Sequence, residues 1–121
     1  MSDDTLKHIN SLVPSVAQKA YRLVLAARQA GIPMVLTSGR RSTLQQFGLW
    51  ARGRFTSGRV VTNTITRSRH LSGRAFDFLV VGFHPDRYSG LYTAIGRAGE
   101  RLGLQWGGRW RTLKDKVHFQ G

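Results

Sequence analysis

The chain has 121 residues, 40% of them hydrophobic, enough for one modest core. Its 19 Lys and Arg stand against 6 Asp and Glu, a formal net charge of +13, which favours a polyanionic partner such as nucleic acid, an anionic membrane surface or an acidic envelope polymer. The absence of cysteine excludes disulfides and thiolate metal sites, and no apolar run approaches the roughly 18 residues of a membrane span.

Residues 1 to about 12 read as a short helix or a loosely held lead-in. Pro14 suits a first helical turn, and Val16, Ala20, Val24 and Ala27 follow at helical spacing until Gly31 and Pro33 stop the helix. The run from Met34 to Gly39 predicts a strand entering a tight turn. Ser42 with Gln45 fits a capping box opening a helix that Gly53 ends. From Arg54 to Arg67 no period persists, which predicts a long loop of the kind that tends to be functional.

Ala75 to Val81 alternates as a strand, with Phe76, Phe78 and Val80 on one side and Asp77 on the other. A third helix is predicted from Asp86 to Leu102, with Leu91, Ile95, Ala98 and Leu102 on one face. Gly90, Gly96 and Gly99 oppose it on propensity. Trp106 to Trp110 suggests a strand and turn, and Val117 to Gln120 a final strand. No repeat or linker divides the chain, so one domain over 1–121 is expected, without a second unit.

The chemistry concentrates in His70, Asp77, Asp115 and His118. Without Cys, zinc ligands come from His nitrogen and carboxylate oxygen, and His70, Asp77 and His118 form that set. Three protein ligands leave a position for water, as in a catalytic site. Strand parity supports the grouping: Asp77 and His118 each lie between apolar neighbours, so adjacent strands can present both to one cleft, with His70 reaching it from the preceding loop. Asp115 has the wrong parity for that face and belongs on the turn before the strand, where it can act as a general base without ligating. Alone, each residue has a blander reading; His8 and His84 are read as surface residues, and a bare Asp-x-x-His recurs by chance. Ser-x-His-x-x-Gly-x-Ala-x-Asp followed by Trp-Gly-Gly-x-Trp and Asp-x-x-His is far rarer.

From about Met34 to the end, the sequence resembles the zinc peptidases of the lysostaphin, D-alanyl-D-alanine peptidase and hedgehog group. Within it, the chain is most similar to the L-alanyl-D-glutamate endopeptidases used as bacteriophage endolysins. Ser38 to Ser42, Gln46, Leu49 to Arg54, Val61 to Asn63, the two metal motifs and His118-Phe119-Gln120 carry the likeness. The resemblance implies His70, Asp77 and His118 as zinc ligands and Asp115 as catalytic base. It further implies Arg41 as the arginine at the scissile carbonyl, with Gln46, Ser68, Trp106 and Trp110 lining the substrate cleft. Arg109 departs from the acidic residue expected at the rim.

The fold expected is α+β: a small antiparallel sheet of about four strands, helices on one face and a zinc cleft on the other. The activity expected is hydrolysis of the peptidoglycan stem peptide, foremost at L-alanyl-D-glutamate, by a monomer drawn to anionic envelope polymers through its basic surface. A D-alanyl-D-alanine carboxypeptidase or dipeptidase on the same site is the near alternative. A basic nucleic-acid-binding module explains the charge but gives Asp77 and Asp115 no role, so no nucleic-acid partner and no stable membrane insertion are expected. A zinc-bearing domain without activity would not need Asp115 and Arg41. The polar start Met1-Ser2-Asp3-Asp4 lacks a secretory signal's pattern. Residence in a host cytoplasm is therefore expected, until a separate pore-forming protein opens the way to the wall.

Overall fold

The computed structural model describes residues 1–40, 69–111 and 114–121. The predicted helix 42–53 and the loop 54–67 lie outside the described residues. Two helices open the chain, α1 (Asp3–Asn10) and α2 (Pro14–Gln29). Strands β1 (Met34–Ser38) and β2 (Ala75–Val80) follow, then helix α3 (Ser89–Arg101), the short strand β3 (Gln105–Trp106), a 3-10 turn at Gly107–Arg109 and strand β4 (His118–Gln120). The four strands form one antiparallel sheet in the order β1-β2-β4-β3, as the alternation of the sequence leads one to expect.

Alternation sorts the two faces. Met34, Leu36, Phe76, Phe78, Val80, Trp106 and Phe119 all point into the buried core. There they meet Val16, Ala20, Leu23, Val24 and Ala27 of α2, the stripe that the helical spacing predicts, with Leu23 added. Phe119 lies 5.3 Å from Phe78 and 5.4 Å from Phe76, ring centre to ring centre. Losing such a ring typically costs ~3–5 kcal/mol. On the opposite face, Asp77 sits directly across from His118, and Gln120 across from both Ala75 and Gln105. Helices α2 and α3 pack on the apolar face, while α1 lies along β1, where Leu36 donates its N–H to Thr5 Oγ1.

Helix α3 differs from expectation in its start and its buried face. It begins at Ser89, after a turn at 84–88 in which the Arg87 and Tyr88 N–H groups both donate to the His84 carbonyl. Its buried residues are Tyr92, Ile95, Gly96 and Gly99; Leu91, Ala98 and Leu102 are only partly buried. The glycines that argued against a helix are its contact surface. A Cβ on Gly96 would stand 2.3 Å from the Trp106 indole, and one on Gly99 2.3 Å from the Phe119 ring. Packing thus outweighs a propensity penalty of about 1 kcal/mol per glycine.

Candidate metal centre

The sheet register does the first part of the assembly. Because β2 and β4 pair with Asp77 opposite His118, the two side chains rise from one face as neighbours, and His118 Nδ1 lies 3.1 Å from Asp77 Oδ1. His70 comes from a helical turn at 69–71 rather than from a loop. Its Nε2 stands 3.5 Å from the same Asp77 Oδ1. One ligand atom from each of the three residues lies within 4.8 Å of the others. Ligands ~2.0–2.1 Å from a tetrahedral zinc stand roughly 3.3 Å apart, between the two separations to Asp77.

The outer atoms of each ligand are also engaged. His70 Nδ1 is 2.9 Å from the Gly39 carbonyl oxygen, which has only lone pairs to offer, so this nitrogen carries the proton. That leaves Nε2 with its lone pair facing the cluster. This Nε2 is buried and makes no hydrogen bond among the described residues, a costly state that a bound cation would relieve. His118 repeats the scheme with its nitrogens exchanged, as Nε2 meets Gln120 Oε1 at 2.9 Å. Ser38 Oγ donates to Asp77 Oδ2 at 3.0 Å, leaving Oδ1 turned to the histidines. A donor set of two imidazoles and a carboxylate, with these outer contacts, fits zinc.

Electrostatics agrees with the grouping. Burial alone would raise the Asp77 carboxyl, but the adjacent His118 and His70 imidazoles hold it well below the usual carboxylate range. Asp115 moves the other way. Burial, then the negative charge of Asp77, pushes it above its ordinary value, with His118 offsetting part of the effect. Asp115 sits on the turn before β4: its N–H donates to the Gly107 carbonyl, and its own carbonyl accepts from the His118 N–H. A partly buried carboxylate with raised basicity, within reach of the cluster's charges, is chemically suited to accept a proton.

The remaining site expectations divide. Trp110 comes to the cluster, its ring centre 5.1 Å from that of His118. Trp106 does not. It is a core residue, 7% exposed, with its indole against Gly96 and its Nε1 donating to the Lys116 carbonyl. The cause is parity, since Trp106 pairs with Phe119 and so faces the helices. Arg109 pairs with Glu100 of α3, which occupies its guanidinium and raises its pKa through that hydrogen bond. Arg41, Gln46 and Ser68 lie outside the described residues.

Three supporting contacts were not legible as such. Ser11, at the end of α1, accepts the Arg40 N–H and donates to the His8 carbonyl. Gly39 lies against it so closely that a Cβ would stand 2.4 Å from Ser11 Oγ and 2.6 Å from the His8 carbonyl oxygen. The Val13 N–H donates to the Gly73 carbonyl, so the 11–13 link grips the chain on both sides of His70. None of these carried a sequence signal; Gln120, by contrast, lies two residues past His118 on the same strand face.

Comparison with known proteins adds the following. Residues 62–121 match the family described as D-alanyl-D-alanine carboxypeptidase, of the M15 peptidases. The peptidoglycan L-alanyl-D-glutamate endopeptidase CwlK of Bacillus subtilis (strain 168) is 32% identical over 123 residues, covering 92% of this chain and 74% of that protein. The crystal structure of the Serratia marcescens L-Ala D-Glu endopeptidase ChiX superposes with a TM-score of 0.65 at 28% identity, covering 99% of this chain and 87% of that one. The vancomycin-resistance D,D-pentapeptidase VanY, solved as an E175A mutant with Zn(II), shares the fold at 15% identity and a TM-score of 0.62, over 90% of this chain and 71% of that one.

Proposed function

Because the chain belongs to the M15 family of peptidases and is a zinc metallopeptidase, we propose that it hydrolyses the L-alanyl-D-glutamate bond of the peptidoglycan stem peptide. The observation that carries this is the cluster of His70, Asp77 and His118, in a chain 32% identical to an enzyme of that specificity. His70 through Nε2, Asp77 through Oδ1 and His118 through Nδ1 are the assigned zinc ligands.

Bound there, zinc supplies a Lewis acid that polarises the scissile carbonyl and makes water acidic enough to lose a proton near neutral pH. Asp115 takes that proton from the attacking water and returns it to the leaving amine, a role its raised basicity supports. Arg41 is assigned the developing oxyanion, where losing one donor typically costs about 3–4 kcal/mol. Trp110, whose ring lies beside that of His118, is assigned to the substrate cleft together with Gln46 and Ser68.

The biological use we assign is lysis of the cell wall from within, in the manner of an endolysin released by a pore-forming partner. The net charge of +13 supports attraction to anionic envelope polymers. Mass spectrometry of digested muropeptides tests the specificity: stems released after L-Ala are expected. Loss of terminal D-Ala alone would contradict it and favour the carboxypeptidase activity for which the matched family is described.

A further inference from the structure

The two cluster histidines present opposite nitrogens, and a histidine can present only one of them with a lone pair when neutral. For His118 the inward nitrogen is Nδ1, 3.1 Å from Asp77 Oδ1. Its Nε2 must then carry the proton, which requires an acceptor. Gln120 meets it with Oε1 at 2.9 Å. A glutamine amide has a donating end and an accepting end, and a half-turn would set its NH2 against Nε2. That would leave Nε2 as acceptor and move the proton to Nδ1, closing the inward lone pair.

Something must therefore hold the amide in one sense. Gln120 is 5% exposed, so water offers it little choice. Its Nε2 donates to Gln105 Oε1 at 3.2 Å, and Gln105 stands directly across from it in the β3–β4 pair. The sequence of contacts Gln105, Gln120, His118, Asp77 runs across three adjacent strands on the polar face. Fold maintenance alone does not account for it, since a buried apolar side chain would fill the Gln120 position without an orientation to defend.

The geometry points to Gln120, oriented by Gln105, as the positioning residue that selects the tautomer of His118 and so opens Nδ1 to the metal. This rests on the assignment of His118 as a zinc ligand. Outer partners of metal-bound histidines typically contribute about 10–100-fold to metal affinity. Gln120 is placed to supply that share on one side of the cluster.

Zinc affinity measured by competition with a chromogenic chelator tests this without reference to turnover, with the thermal melt of each metal-free variant as the check on folding. Gln120→Met, which keeps length but removes the acceptor, is expected to weaken zinc binding about 10–100-fold. Gln120→Glu, which can only accept, is expected to stay within about threefold of the parent or to bind more tightly. Gln105→Met, at an exposed position, is expected to lower affinity by a smaller factor while leaving the melt unchanged. Gln120→Met within about twofold of the parent would overturn the proposal, as would an equal loss in Gln120→Met and Gln120→Glu. Should Gln120→Met fail to fold, Gln105→Met decides, unchanged affinity counting against the proposal. His118→Ala serves as the separate control: full zinc affinity in that variant would mean that His118 is not a ligand, a failure of the site assignment itself.

Discussion

His70 and His118 face one another across the same carboxylate, and their rings lie 5.1 Å apart between centres, yet they are held in different ways. His118 is held by its own sheet, since β4 sets its height, Asp77 stands across from it and Gln120 follows it by two residues. His70 is held from far away. Its Nδ1 meets a main-chain carbonyl 31 residues earlier, and that carbonyl belongs to Gly39, lodged against Ser11 and His8 of the first helical segment. One candidate ligand is positioned by strand register, the other by tertiary contact. The lesson is that a metal cluster can draw one side of its rigidity from local pattern and the other from a segment that carries no ligand.

The largest break in this comparison comes from removing either ring. His70→Ala and His118→Ala are each expected to abolish tight zinc binding, read by elemental analysis after dialysis, because two protein ligands replace three. Asp115→Asn separates chemistry from binding: zinc content is expected to hold while turnover falls ~10²–10⁴-fold. Near-parental turnover in a zinc-loaded Asp115→Asn protein would remove Asp115 from proton transfer.

Smaller substitutions sharpen the contrast between the two sides. Gly39→Ala forces a Cβ into Ser11 and the His8 carbonyl; it is expected to destabilise by ~1–3 kcal/mol and to weaken zinc through His70. Gly99→Ala, which meets Phe119 on the opposite face of the sheet, is expected to cost a similar ~1–3 kcal/mol in denaturant melts while leaving zinc affinity unchanged. If both lower zinc affinity alike, the grip on His70 is no more than general stability. Ser11→Ala is the mildest case. Losing the acceptor for the Arg40 N–H is expected to cost about 0.5–1.5 kcal/mol, with a measurable drop in zinc affinity.

The same division explains what could be read before the structure. Strand parity located Asp77 and His118 on one face and Asp115 on the turn, because period-two alternation is a local property of each strand. Trp106 faces the core because it pairs with Phe119, a register between strands that the sequence alone does not contain. Helix α3 differs from expectation in its buried face because Gly96 and Gly99 pack against Trp106 and Phe119, a tertiary reason that propensity does not contain. Nothing in the first 12 residues announced that Ser11 would brace Gly39, since the contact spans a separation that only the folded chain closes.

The central claim is that a single zinc ion sits between His70 Nε2, Asp77 Oδ1 and His118 Nδ1. Anomalous diffraction at the zinc edge from crystals of the zinc-loaded protein tests it directly. One peak about 2.0–2.2 Å from each of those three atoms is the expected result, with Asp115 nearby but outside ligand distance. A peak bonded to Asp115, one bonded to His118 through Nε2, or none in protein that still hydrolyses peptidoglycan would contradict the account.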